Sequence, residues 1–473
     1  MKKIFIVIAV MGLISCTGNA QDTQKEKNDA MKDKVVQFFN AKNADGLYSL
    51  AGASFRKQLS ADKFKAVAEN NLFPLGEIKS AEFEKIDNGI SKYKTTFDVA
   101  ILSLYISVDS AGLLEVLLFQ PYKKEIKGDI IKSKTDNTLA TELDKKVEAV
   151  VQPFMFESKT VALSIGILKD GKTYFYNYGE TKKGNEQIPS SKNLYEIGSI
   201  TKTFTGILLA KAVTENKIRL NDPVNKFLPK NTPTLKFGND TLKIVHLSNH
   251  TSGLPPLPDN FGSTDLVNPY MDYDEKKLFA YLKHASISRK SGEKWEYCNL
   301  GVGLLGYILQ QVNKMPFEKM VTDFITSKAG MTDTREFLVK KDSVLFVQGY
   351  DESISTQSQW DFKALTAAGS LRSNTEDMLK YAALNLNAAD SKLKLAIELS
   401  HRETFDAGQQ KIALNWFIQN WGWGPLLFHG GATGGYRSLL AVNPNTKNAI
   451  IVLSNTAVSN DAVGVAILKY IDK

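Results

Sequence analysis

Ser199 and Lys202 lie three positions apart in YEIGSITKTF, residues 195–204, where a glycine gives way to a run of helix formers. On a helix that offset puts both side chains on one face, within mutual reach. A serine hydroxyl is a poor nucleophile at neutral pH and needs an adjacent base. A lysine serves as that base only where burial or a nearby cation lowers its pKa. A helix N-terminus helps both, because its partial positive charge favours a developing anion and a less basic amine. The pair points to covalent chemistry through a serine, but a helix-capping serine followed by a solvated lysine has the same spacing, so other residues must decide. Tyr297-Cys298-Asn299 supplies a phenol able to move a proton between serine and leaving group, and an amide able to bond the lysine and a substrate amide. In FHGGATGGYRS, residues 428–438, His429-Gly430-Gly431 precedes Ala432. Glycines before a strand let backbone approach a ligand, and a free N–H on that edge would form half of an oxyanion hole with the N–H of Ser199.

These residues need a scaffold. TKTFTGILLAKAV, 201–213, has apolar residues at Phe204, Ile207, Leu208 and Val213 and reads as the helix that carries Lys202. TVALSIGILKDGKTYFYNYG, 160–179, reads as two strands around the turn Asp170-Gly171. SLLAVNPNTKNAIIVLSN, 438–455, reads as two more, followed by the helix candidate DAVGVAILKYI, 461–471. Strands at both ends of mostly helical sequence predict one large domain, 146–473, whose terminal segments meet in a shared antiparallel sheet. Trp416, Trp421 and Trp423 read as core and strand residues, one of which could wall a cleft.

The chain of 473 residues is long enough for more than one core. Residues 30–125 read as a small α+β unit of helices followed by a strand meander, with a turn at Asp109-Ser110-Ala111-Gly112. It resembles the small cone-shaped domains of the nuclear-transport-factor-2 type, or the uncharacterised domain that often precedes bacterial secreted hydrolases, and reads as a binding or spacer module. Residues 126–145 are charged, poor in large apolar side chains, and expected to be a linker. MKKIFIVIAVMGLISC, 1–16, has the charged start, short apolar run and small-residue end of an export signal, and the run is too short to span a bilayer. Its last four residues resemble a bacterial lipobox, which implies lipidation of Cys16; ordinary cleavage near Ala20 is the other reading. Residues 17–29 are polar and expected to tether a soluble body to a membrane outside the cytoplasm. Lys+Arg of 59 against Asp+Glu of 51 is a dispersed excess, which argues against a nucleic-acid partner.

S-x-x-K, then Y-x-N, then H-x-G, in that order, resembles the active site of the serine beta-lactamase and penicillin-binding superfamily, and tyrosine in the second element is similar to its class C branch. VHLSNHTSGLP, 245–255, and AAGSLRSNTEDMLKYA, 367–382, resemble further segments of that family. The resemblance implies an α+β beta-lactamase/transpeptidase-like fold, an antiparallel sheet flanked by helices plus an all-helical subdomain, over roughly 140–473. It makes Ser199 the acylated nucleophile, Lys202 its activator and Tyr297 the general base and later acid. Asn299 and Gly431 become substrate-binding positions, His429 takes the place of the family's lysine, and Ala432 gives the second oxyanion N–H. Cys298 stands where the family has serine or alanine, a reactive liability if exposed. Histidine for lysine replaces a permanent cation by a group able to be neutral, which disfavours substrates that need a carboxylate salt bridge. The implied activity is hydrolysis of an ester or amide such as a D-amino-acid or cell-wall peptide, without metal or organic cofactor. The alternatives are a true beta-lactamase and a non-catalytic lipoprotein that binds peptidoglycan peptides. His246 and His250 have a metal-compatible spacing but no third ligand, and read as packing and capping residues at a helix end.

Overall fold

The computed structural model describes residues 18–122, 131–263, 265, 267–408, 410–420 and 424–472. The signal segment with Cys16, and Trp421 and Trp423, lie outside the described residues. The chain forms two units, divided at Gly128/Asp129.

In the first unit, helix α1 (Gly18–Asn40) leads through three short helices into strands β1 (Ile78–Asp87), β2 (Ile90–Phe97), β3 (Ile101–Val108) and β4 (Leu114–Pro121), an antiparallel sheet in sequence order. Phe39 on α1 meets Phe73, Phe97 and Phe119 edge-on or tilted, with ring centroids 5.3–6.0 Å apart. The turn expected at Asp109 forms, its Oδ1 accepting from the N–H groups of Ala111 and Leu113. The expected tether is different: residues 18–29 are the first turns of α1. Some of its polar side chains serve the sheet. Asn28 is fully buried, donates to Gly89 O and Ser91 Oγ and accepts from Val108 N–H, while Asp29 accepts from Tyr93 Oη–H at 2.8 Å.

The second unit begins earlier than the sequence suggests. Residues expected to be linker lie along its edge: Thr135 bridges to Tyr178, Asp136 accepts from both nitrogens of Asn177, and Gln152 exchanges hydrogen bonds with the backbone of Ser133. Helix α2 (Glu142–Ser158) starts on a reciprocal cap between Thr141 and Asp144. Strands β5 (Ala162–Lys169) and β6 (Lys172–Gly179) turn at Asp170-Gly171, both with positive φ, as a two-residue hairpin of this hand requires. Helix α3 (Thr201–Thr214), short helix α4 (Ile244–Ser248), α5 (Asn299–Asn313) and α6 (Thr375–Leu386) follow. Strands β7 (Phe405–Asp406), β8 (Lys411–Ile412), β9 (Phe417–Asn420), β10 (Pro425–Ala432), β11 (Arg437–Val442) and β12 (Ala449–Ser454), then helix α7 (Asp461–Ile471), close the chain.

All eight long-sheet strands are antiparallel in the order β7-β8-β9-β10-β11-β12-β5-β6, so the expected pairing of terminal segments is the β12–β5 seam. Alternation sorts the two faces. On β12, Ile450 and Val452 join α2 and α7 in one core, while Ala449, Ile451 and Leu453 face the larger core that contains α3, α5 and α6. Gly166 on β5 permits this: a Cβ there would fall 2.7 Å from Ile451 Cγ2 and 2.9 Å from Leu379 Cγ on α6.

Candidate active site

Ser199 lies in a turn of 3-10 helix, Gly198–Ile200, that runs into α3, so its hydroxyl stands at a helix N-terminus. The turn is pinned from several sides. Ile197 N–H donates to Leu371 O, Ser438 Oγ donates to Ile197 O at 2.8 Å, and Thr201 Oγ1 accepts from Leu371 N–H. Gly198 adopts φ +48°, and a Cβ there would meet Ala432 N at 2.8 Å; a Cβ on Gly431 would collide with Ile197 O. Glycine at these two positions lets the end of β10 press against the serine turn, bringing the backbone of Ala432 beside that of Ser199.

Lys202 is completely buried, with Nζ 2.9 Å from Ser199 Oγ and 2.6 Å from Ala368 O. Burial pulls its pKa down to about 7. A neutral amine keeps N–H groups for Ala368 O and a lone pair for the serine hydroxyl proton. Tyr297 stands on the other side: Lys202 Nζ is 4.9 Å from its ring centroid, and the nearby Ser199 hydroxyl partly offsets the effect of burial on its phenol. Burial raises the pKa of this phenol, so it is protonated at rest.

Asn299 opens α5, but it does not bond Lys202 as the sequence suggests; its Nδ2 donates to Tyr270 Oη at 3.2 Å and its buried Oδ1 has no partner. Cys298 is not an exposed thiol. It caps α5, accepting from Gly301 N–H and donating to Pro255 O, each at 3.1 Å, and burial pushes its pKa up to about 11. His429 on β10 is buried with its ring centroid 6.3 Å from that of Tyr297. Burial, aided by the Lys202 charge, brings its pKa down to about 3, so the imidazole is neutral. Nδ1 donates to Gly430 O at 2.7 Å, which leaves Nε2 as a buried acceptor without a partner. The structure therefore gathers Ser199, Lys202, Tyr297, Asn299, His429, Gly431 and Ala432 at the junction of α3, α5 and β10.

Sequence reasoning missed Ala368 O and Tyr270 as partners in this cluster, and Phe417, which stacks on His429 at 4.7 Å. His246 and His250 do not share a metal site: among the described residues, no group of three or more His, Cys, Asp or Glu is arranged to hold a metal ion. Trp416 is fully buried in the core.

The family model for beta-lactamases matches residues 147–470, most of the chain and all of this cluster. The chain belongs to the beta-lactamase family. It is a serine hydrolase of that family, with a first unit lying outside the match. It is 25% identical over 351 residues to a beta-lactamase of Pseudomonas fluorescens, covering 67% of this chain and 94% of the relative. It is 28% identical over 332 residues to protein flp of Staphylococcus aureus, covering 67% of this chain and 64% of the relative. The beta-lactamase/D-alanine carboxypeptidase from Pseudomonas syringae has the same fold, with TM-score 0.63, 23% identity, and coverage of 70% of this chain and 99% of that one. So does a class C beta-lactamase, with TM-score 0.63, 22% identity, and coverage of 71% and 98%. These similarities support the beta-lactamase/transpeptidase-like architecture expected from the motifs.

Proposed function

We propose that this beta-lactamase-family protein hydrolyses an ester or amide through an acyl-enzyme on Ser199, in the manner of the class C branch, with a D-amino-acid peptide or cell-wall-related ester as substrate. The observation that carries the reading is a wholly buried Lys202 amine, with its pKa near neutrality, 2.9 Å from Ser199 Oγ. Neutral Lys202 takes the Ser199 proton as Oγ bonds to the substrate carbonyl carbon, and the N–H groups of Ser199 and Ala432 receive the oxyanion. Tyr297, a phenol at rest, gives its proton to the leaving group as the carbon–heteroatom bond breaks and is reprotonated from Lys202. Water then adds to the acyl carbon, its proton returning through the same groups, and Ser199 departs with its hydroxyl restored.

Substrate choice follows from His429. A neutral imidazole followed by Gly430 gives a substrate carboxylate neither a cation nor a side-chain hydroxyl at this position, which favours neutral esters and amides over anionic beta-lactams. Asn299 Oδ1, buried and unpartnered, suits a substrate amide N–H. Beta-lactam hydrolysis is the second reading, favoured by relatives that bear that name. Steady-state assays on p-nitrophenyl esters, D-alanine p-nitroanilide and a chromogenic beta-lactam test the choice. The expected result is turnover of the first or second with little of the third; efficient beta-lactam turnover alone would reverse it.

The lipobox-like end of the first sixteen residues motivates the remaining part of the proposal, an exported protein anchored through lipid on Cys16. Palmitate labelling of the full chain, lost in Cys16→Ala, is the expected outcome; equal labelling of both would refute it.

A further inference from the structure

His250 is the one histidine with positive φ, +61°, among the described residues, a left-handed conformation that few non-glycine residues adopt and histidine more readily than most. It is also buried, and its Nε2 has no hydrogen-bond partner among the described residues. Nδ1 accepts from Cys298 N–H at 3.2 Å, so the proton is on Nε2 and the unpartnered atom is a buried donor. An uncommon backbone angle and an unmatched buried donor in one residue are a poor solution if stability alone is at stake. Such features persist where the surroundings hold them for function.

What His250 holds is Tyr297. Glu296 N–H donates to His250 O at 2.8 Å and Cys298 N–H donates to the imidazole, so His250 takes the amide protons on both sides of the tyrosine. Its ring lies 4.5 Å from the Tyr297 ring at 33°, and Trp295 and Phe417 close around it at 6.4 Å. The left-handed turn lets one residue present carbonyl, Nδ1 and ring face toward the same short segment. We infer that His250 is a positioning residue for Tyr297, clamping its backbone from both sides and fixing its ring so that the phenol stays over Ser199 and Lys202. This rests on the acyl-enzyme reading and adds to it a residue that acts through Tyr297 without touching the reacting atoms.

Two variants separate clamping from packing. His250→Leu keeps bulk but has no acceptor for Cys298 N–H. His250→Asn tolerates the left-handed backbone and places Oδ1 the same number of bonds from the chain as Nδ1, so it retains the acceptor. Each is compared with wild type and Ser199→Ala by the rate of Ser199 labelling with a fluorophosphonate probe, the pre-steady-state burst with p-nitrophenyl acetate, the melting temperature, and a crystal structure. The expected result is acylation about 100-fold slower in His250→Leu at similar KM, the cost of a misplacement of about 1 Å, with substantial recovery in His250→Asn. Tyr297 is expected to be displaced in the His250→Leu crystal and in place in His250→Asn. Wild-type acylation and an unmoved Tyr297 in His250→Leu would overturn the inference, as would losses in both variants that follow melting temperature alone. If wild type is never labelled at Ser199, the acyl-enzyme reading fails, and the position of Tyr297 in the two crystals still decides whether His250 clamps it.

Discussion

Buried polar groups near the core of the first unit and those around Ser199 in the second are satisfied to different degrees. In the first, Asn28 uses its whole amide, to Gly89, Ser91 and Val108, and Lys92 is paired with Glu84 at 2.7 Å. In the second, His250 Nε2, Asn299 Oδ1 and His429 Nε2 are buried around Ser199 and Tyr297 without partners among the described residues. A buried polar group left unpaired costs about 1–3 kcal/mol, so three at one junction are a standing cost to the fold. The difference teaches where a ligand is to be sought: among its described residues the first unit leaves Thr95 Oγ1 as an isolated unpaired group, whereas the second gathers three beside one serine, where a substrate would arrive.

Substitutions break this contrast in graded ways. The largest effect belongs to Ser199→Ala, which is expected to lower ester turnover by about 10⁴-fold or more while leaving the melting temperature within a few degrees; stopped assays beside calorimetry check both. Gly431→Ala drives a Cβ into Ile197 O, and displacing the serine turn from β10 is expected to remove most activity along with about 1–3 kcal/mol of stability, read by chemical denaturation. Lys202→Arg keeps the charge but not the capacity to lose it, and a fall of about 10²–10⁴-fold in acylation is expected. The wild-type pH profile sharpens that prediction. The active amine is the neutral one, so kcat/KM should rise with pH through about 7, the value to which burial brings Lys202, and this acid limb should vanish in Lys202→Arg.

Smaller changes follow at His429 and in the first unit. His429→Lys supplies the missing cation, and kcat/KM for a carboxylate-bearing beta-lactam should rise about tenfold relative to a neutral ester, equivalent to about 1.4 kcal/mol. Phe39→Ala empties the aromatic core of the first unit at a cost of about 3–5 kcal/mol, while the rate of Ser199 acylation should not change. Loss of acylation there, with the second unit still folded, would show that the contrast between the units is incomplete.

Much of the catalytic layout was legible because it depends on residue type at short range. Ser199 and Lys202 are one helical turn apart, Asp170-Gly171 needs two positive φ angles in sequence, and β12 and β5 are the apolar runs expected to pair. What stayed hidden depends on partners distant in the chain. Ala368 meets Lys202 through a carbonyl that every residue has, so no side-chain pattern announces it. His250 reads as a helix-end histidine until its backbone angle and its bonds to 296 and 298 are known. Strand β1 alternates poorly, with charged residues on much of its length, and carries no apolar stripe to mark it. Within 18–29, Asp22, Thr23, Glu26 and Lys27 do face water, and the same polar composition conceals Gln24, Asn28 and Asp29, whose side chains turn to sheet backbone and a buried tyrosine.

The central claim is a covalent acyl-enzyme on Ser199, and its most direct test is trapping. Protein mixed with p-nitrophenyl acetate, quenched in acid within the burst and digested, should yield one acetylated peptide containing Ser199, absent from Ser199→Ala and much reduced in Lys202→Arg. Acetylation spread over surface lysines, equal in wild type and Ser199→Ala, with no modified Ser199 peptide, would contradict the account.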